Sequence, residues 1–435
     1  MNCFMIAASA SASGKTTITL GLLRAFRRRG VALAPVKAGP DYIDPAYHKA
    51  ASGAECFNLD PWGMRPELIS ALSSRISEGN KLLVAEGMMG LFDGAMDGTG
   101  SSADLAKMLD FPVVLVVDCA RQSHSIAALV SGFSQFRKDV LIAGLVLNRV
   151  GSPRHEMMLR EALKPLGIAV LGAIPRDAAL VLPERHLGLV QAGEHADLER
   201  FLNHAADVME EYIDFAALQH IWSGPKRHAA MANVPRLKPL GSRIAMARDD
   251  AFAFAYAHLF EGWRRRGAEI SFFSPLADET PDENADAIYL PGGYPELFAE
   301  KLAAAGNFKS AMKAAAAKGV AIYGECGGYM VLGEALEDAS GTPHAMLGLL
   351  PLETSFAKRK LHLGYRLLEP FAGSPWQLPL KAHEFHYASI IREGNAERLF
   401  KVRDALGEAR GEAGLRAGSV SGSFMHVIDF YGDDA

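Results

Sequence analysis

Three groups of residues in this chain have the types and spacing to do chemistry. The first is SASASGKTT, Ser9 to Thr17, which follows an apolar run and precedes an amphipathic one. A strand, a loop of small residues and a helix opening on GK[ST] together make a phosphate site. Backbone N–H groups at a helix N-terminus receive phosphate oxygens, a lysine reaches the outer phosphates and a hydroxyl ligates magnesium. Ser13, Gly14, Lys15, Thr16 and Thr17 are the expected nucleotide contacts, with Lys15 on the phosphates and Thr16 on the metal. The usual pattern GxxxxGK[ST] asks for glycine where Ser9 stands; a small residue keeps the space open. The motif indicates a nucleoside triphosphate and says little about its base.

The second group is carboxylates placed to serve that loop. KLLVAEG sets Glu86 at the end of a buried apolar run, where an unpaired carboxylate is expensive, and GMMGLFDG brings Asp93 into the same loop region. Within KAGPDYIDPAYH, Asp41 and Asp44 lie three residues apart in a proline-bounded loop after another apolar run. Magnesium and phosphate chemistry needs such groups near strand ends. An aspartate in a Pro/Gly loop can equally cap the backbone, so both readings stand for Asp41, Asp44 and Asp93.

The third group centres on Cys326 in GVAIYGECGGYMVLG, between an apolar run and a helix-like start. Flanking glycines tolerate a strained turn, and a helix N-terminus lowers a thiol pKa and offers N–H donors to an oxyanion. A plain buried cysteine would not require glycine at 324, 327 and 328. The turn YLPGGYPE offers further oxyanion donors at Gly292 and Gly293. A thiolate also needs a base. Among the late histidines, His362, His383, His386 and His426, the last has the chain position expected of one, while His383 and His386 in HEFHY are alternatives as metal ligands or substrate contacts.

The elements that must position these groups follow from pattern. Apolar runs at 2–8, 33–37, 81–86, 112–118 and 141–148 alternate with amphipathic stretches, which implies a doubly wound parallel α/β sheet. Periodicity fades from 221 to 242, in a stretch punctuated by Gly224, Pro225, Pro235, Pro239 and Gly241, and the alternation then restarts. The expected organisation is a phosphate-binding domain over 1–220, a linker over 221–242 and a second α/β domain over 243–435. Two arginine runs, 27–29 and 264–266, each end an amphipathic pattern before a glycine, and read as cations in a last helical turn.

Bulk numbers agree with a small-molecule enzyme. The 435 residues exceed one ordinary core, and 49% hydrophobic with 22% charged residues is a globular composition. A net charge of -5 argues against a general nucleic-acid binder. Four scattered cysteines without a CxxC pair suggest neither disulfides nor zinc and fit a reducing cytoplasm, and no apolar run is long enough to target a membrane.

Taken together, the phosphate loop, GPDYIDP, EGMMGLFDG and YGECGGYM with a late SFMH resemble the cobyrinic acid and hydrogenobyrinic acid a,c-diamide synthase family over nearly the whole chain. The resemblance implies a dethiobiotin-synthetase-like ATPase domain followed by a class I glutamine amidotransferase domain of flavodoxin-like α/β fold. It implies ATP and Mg2+ as cofactors, with Thr16 and Glu86 at the metal, and Asp41, Asp44 and Asp93 at the synthetase site. Cys326 becomes the glutaminase nucleophile and His426 its base. L-glutamine and a corrinoid are the implied partners, without nucleic acid or membrane and with a homodimer left open. The implied activity is amidation of the a and c carboxylates of a corrin in cobalamin synthesis. Alternatives are another tetrapyrrole such as nickel-sirohydrochlorin, or a P-loop switch with an inactive second domain. The chain departs from many class I amidotransferases at one position. Where they carry glutamate two residues after the histidine, Ile428 stands here, leaving Asp429 or a backbone carbonyl to orient His426.

Overall fold

The computed structural model describes residues 2–185, 188–222 and 234–432. They fall into two compact units: one holds 1–62 and 66–234, the other 235–435 together with Gly63–Arg65 from the first half of the chain. The expected linker lies partly outside the described residues, at 223–233; Ile221 and Trp222 close the helix Phe215–Trp222, and a strand opens at Arg243.

The first unit is built on a seven-stranded sheet in the order Phe57–Leu59, Leu33–Ala38, Leu82–Glu86, Cys3–Ala8, Val113–Asp118, Ile142–Val150, Ala169–Pro175. Every neighbouring pair is parallel. Helices cover such a sheet on both faces, which explains why Cys3–Ala8 and Leu82–Glu86 are apolar and buried along their whole length. The first strand pairs with the fourth on one side and the fifth on the other, so the order reverses there. Ligands bind open α/β sheets at the carboxyl ends of strands beside such a reversal. Register then fixes what meets at that edge: Glu86 lies opposite Ile6 on one side and Lys37 on the other.

In the second unit a ten-stranded sheet begins with five parallel strands, Glu269–Phe273, Arg243–Ala247, Ala287–Leu290, Ala321–Glu325 and Val420–Ser423. The alternation of sequence pattern predicts this half. Five antiparallel strands continue it: Ala409–Ala417, Glu397–Asp404, His362–Pro370, Leu380–His386 and Met425–Phe430. Only Phe424 separates Val420–Ser423 from Met425–Phe430, yet one strand is central and the other terminal in the order. The antiparallel half must therefore roll back until its last strand lies beside the parallel half, and this return delivers His426.

Both arginine runs end helices as their patterns predict, Lys15–Arg28 and Ala257–Arg265, ahead of Gly30 at φ 72° and Gly267 at φ 88°.

Candidate active site

The loop after Cys3–Ala8 turns into the helix Lys15–Arg28 through Gly14, whose φ of 83° suits glycine. A Cβ there would lie 2.2 Å from Asn148 Nδ2, and that amide donates to the Ser13 carbonyl at 2.8 Å. Asn148, at the end of its own strand, thus holds the loop in shape. The Ser13 hydroxyl donates to the Ala10 carbonyl, and the Thr17 hydroxyl to the Leu180 carbonyl, so both side chains brace the loop. Beside it an open cavity of about 650 Å³ runs from Ser9 and Ser13 to Asp118, Arg121 and Arg149, within the range of small-molecule sites.

Behind the loop lies a buried charge cluster. The Thr16 hydroxyl donates to Glu86 Oε1 at 2.7 Å, Lys37 Nζ donates to the same oxygen at 2.9 Å, and Lys15 Nζ stands 4.0 Å from it. Glu86 Oε2 meets His48 Nε2 at 2.6 Å, and the other ring nitrogen of His48 faces Cys56 Sγ at 3.4 Å. Lys37 also holds Asp44 and lies 3.7 Å from Asp41. Burial alone would neutralise Glu86, but Lys37 and His48 outweigh it and hold the carboxyl well below its ordinary range. Burial likewise acts against a charged Lys37, and is overcome by Asp44, Glu86 and Asp41, which push the ammonium well above its usual value. Burial and the proximity of Asp41 raise Asp44 to about 6 despite Lys37. Burial and the neighbouring Lys37 lower Lys15.

The two readings of the loop aspartates merge at Asp41. Its Oδ1 accepts the Ile43 and Asp44 N–H groups at 2.9 and 3.0 Å, a turn cap, while Oδ2 faces Lys37. Asp93 accepts the Gly90 N–H at 2.8 Å and shapes the loop whose Leu91 N–H reaches the Ala8 carbonyl.

In the second unit Cys326 occupies a sharp turn, φ 46° and ψ -104°, between Ala321–Glu325 and the helix Gly327–Leu332. Such a conformation costs a non-glycine residue free energy and signals a built site. Glycines make the turn fit: a Cβ on Gly328 would lie 2.0 Å from the Leu290 carbonyl oxygen, and one on Gly327 would lie 2.9 Å from Gly293 N. A Cβ on Gly292 would meet His426 Cε1 at 2.4 Å and Cys326 Cβ at 3.3 Å. Cys326, His426, Gly292 and Gly293 are therefore brought together. Burial, with Glu296 nearby, pushes the Cys326 thiol upward; burial and the neighbouring His383 and His386 lower His426 to about 3. Both shifts favour the neutral thiol and the neutral imidazole.

Asp429 pairs with Arg65. Its carboxylate accepts the Arg65 N–H at 3.0 Å and Arg65 Nε at 2.9 Å, while the Ile428 carbonyl meets His258 Nε2 at 2.8 Å. Glu325, immediately before Cys326, brings a carboxylate to the histidine: its Oε2 lies 3.8 Å from His426 Nδ1.

The HEFHY histidines separate. His383 pairs in register with His426 and packs edge-on to Tyr365. His386 instead groups with His362 and Glu384, their ligand atoms within 4.8 Å of one another. Arg366 donates to Glu384 Oε2 at 2.8 Å, so a guanidinium already supplies the cation there.

Among the described residues no helix is long and apolar enough to cross a membrane.

Comparison with known proteins accounts for both halves. Residues 4–190 match the CobQ/CobB/MinD/ParA nucleotide binding domain, and residues 243–432 match the CobB/CobQ-like glutamine amidotransferase domain. A hydrogenobyrinate a,c-diamide synthase of Brucella anthropi is 79% identical over 436 residues, covering 100% of each chain. One from Rhizobium meliloti is 60% identical over 99% of this chain and 100% of its own, and one from Mesorhizobium japonicum is 50% identical over 98% of each. With end-to-end likeness at this level and both domains in one chain, the protein belongs to the hydrogenobyrinate a,c-diamide synthase family.

Proposed function

We propose that this chain amidates the a and c side-chain carboxylates of hydrogenobyrinic acid, using ATP to activate each carboxylate and glutamine as the nitrogen source. The observation that carries the reading is the presence in one chain of a strained Cys326 against His426 and a phosphate loop whose Thr16 is held on a buried, ionised Glu86.

In the glutaminase half, Cys326 attacks the side-chain amide of glutamine while His426 takes the thiol proton and returns it to the departing ammonia. The backbone N–H groups of Gly292 and Gly293 are assigned to the oxyanion. Water then resolves the thioester to glutamate. In the synthetase half, the substrate carboxylate attacks the γ-phosphate of ATP, and ammonia opens the resulting acyl phosphate with release of phosphate. Ser13, Gly14 and Thr17 cradle the phosphates by their backbone N–H groups, and Lys15 balances the transferred charge. The oxygen donors Thr16 Oγ1 and Glu86 suit magnesium and would hold it, and its charge would offset that of the phosphate oxygens. Asp41, Asp44 and Asp93 are assigned to this site, and Lys37 pairs with both Glu86 and Asp44. Two rounds complete one substrate.

The test is to supply ATP and glutamine with hydrogenobyrinic acid, cobyrinic acid or nickel-sirohydrochlorin and count amides gained by mass spectrometry. Two amides on hydrogenobyrinic acid are expected. Preference for a different ring would reassign the substrate, and glutamine-dependent turnover surviving Cys326→Ser would remove the glutaminase assignment.

A further inference from the structure

In a thiol–imidazole pair one ring nitrogen faces the sulfur as a base, and an acceptor on the other nitrogen fixes the tautomer and orientation. Here both downstream candidates are committed elsewhere. Ile428 offers no side-chain acceptor and its carbonyl meets His258, while Asp429 is bound by Arg65. A carboxylate at the ring comes from the opposite direction in sequence.

We infer that Glu325 is the positioning residue for His426, filling the place of the glutamate that many class I amidotransferases carry two residues after the histidine. This rests on the reading of Cys326 as nucleophile and His426 as base. Glu325 Oε2 lies 3.8 Å from His426 Nδ1, with both side chains at most 2% exposed. The carboxylate is itself fixed: Tyr289 Oη donates to Oε2 at 2.8 Å, and the Val427 N–H, from the residue next to the histidine, donates to Oε1 at 3.3 Å. Tyr323 faces the same carboxylate, and His383 and His386 act on the ring. The strand ladder sets this geometry, because Glu325 pairs with Ser423, three residues before His426. The carboxylate and imidazole must close by about 1 Å to hydrogen-bond, as catalytic contacts commonly do when substrate binds.

During the reaction the thiol proton passes to Nε2 as the sulfur electron pair attacks the amide carbon. The imidazolium so formed carries its Nδ1 proton toward Glu325, which stabilises it, and Nε2 then gives its proton to ammonia. Burial lifts Glu325 to about 8, against the pull of Tyr289 and the Val427 N–H, so an ionised Glu325 becomes common only as pH rises through that value. Its contribution to turnover should rise over the same interval.

The experiment compares the full-length parent with Glu325→Gln and Cys326→Ala, measuring glutamine-dependent and ammonia-dependent amidation across pH. Glu325→Gln should lower kcat with glutamine on the order of 10²-fold with little change in KM, retain ammonia-dependent amidation and lose the pH limb near 8. A glutamine kcat within about threefold of the parent, with the pH limb intact, overturns the inference. Cys326→Ala separates the two claims: if it is inactive with glutamine while Glu325→Gln is normal, only the positioning role fails. If Cys326→Ala still uses glutamine, the glutaminase reading fails first. Should Glu325→Gln lose both activities, Glu325→Asp decides: lowered glutamine kcat with ammonia use intact supports the role, and parallel loss of both overturns it.

Discussion

Thr16 Oγ1 donates to Glu86 Oε1 at 2.7 Å although 70 residues separate them in sequence. The contact joins the first helical turn after the phosphate loop to the end of the neighbouring strand. It also places the hydroxyl and the carboxylate where one cation could share them. Glu86→Gln keeps the shape and removes the charge. It should reduce ATP-dependent amidation on the order of 10²–10³-fold whether glutamine or ammonia supplies nitrogen, because the lost step is common to both. Steady-state rates with each donor check this; a loss confined to glutamine would place Glu86 outside the synthetase chemistry.

Lys37 carries the stability side of the same cluster. It is buried against Asp44 and Glu86, and its removal leaves Asp44 without its ion-pair partner and Glu86 with only His48 and the more distant Lys15. Breaking one partner out of a buried ionic group typically costs about 3–5 kcal/mol. Lys37→Met should therefore lower the unfolding free energy of the first unit by about that much, and adding Asp44→Asn should return part of it, since the two residues are coupled. Denaturant unfolding of the two variants measures both effects. A midpoint unchanged in Lys37→Met would show the cluster to be solvated.

How far these features were legible in the sequence depends on whether a strand end or a strand order was needed. Glu86 could be singled out because a carboxylate closes an apolar run, and Cys326 because glycines flank it. Lys37, at the end of LAPVK, and Glu325, at the end of AIYGE, are of the same kind, charges closing apolar runs that need partners when buried. What could not be read was the partner. Lys37 meets Glu86 because their strands are register neighbours, and Glu325 meets His426 because the antiparallel half rolls back onto the parallel half. Neither relationship is local in sequence. The antiparallel half was hidden for a related reason: its strands, such as Ala409–Ala417, are half-exposed and lack the apolar runs that mark a parallel sheet. Asn148, bracing the phosphate loop from a distant strand, carried no motif at all.

His258 gives a pH-dependent test of the second unit. Burial holds its imidazole near 4, opposed by the Ile428 carbonyl and reinforced by Arg236. The folded state therefore binds a proton less readily than the unfolded chain. The contribution is fully present above the ordinary histidine value of 6.5 and is lost as pH falls from there toward 4. His258→Gln keeps a donor for the Ile428 carbonyl but does not titrate. The stability difference between parent and variant should shift by about 2–3 kcal/mol in favour of the variant between pH 7.5 and 4.5. Unfolding midpoints at the two pH values supply the comparison, and a constant difference would mean that His258 titrates normally in the folded protein.

Gly292 allows the glutaminase to be disabled without disturbing the rest of the chain. Its backbone is not in the left-handed region, so alanine is conformationally acceptable, and the difficulty is space alone. The added methyl would sit 2.4 Å from His426 Cε1 and 3.1 Å from Nε2, closer than real contacts permit, so the ring has to move. A displacement of about 1 Å in a catalytic group can cost roughly 10²-fold in rate. Gly292→Ala should accordingly lose about that factor in kcat/KM for glutamine and keep ammonia-dependent amidation. The adjacent Gly293→Ala differs in kind. Its methyl would meet the Ala251 carbonyl oxygen at 2.1 Å, a backbone atom that cannot swing aside, so this variant should lower the thermal midpoint of the second unit as well as glutamine use. Parallel assays with the two nitrogen donors, set beside melting curves, distinguish the two outcomes; equal glutamine kcat/KM in Gly292→Ala and the parent would mean that His426 does not need its observed place beside Cys326.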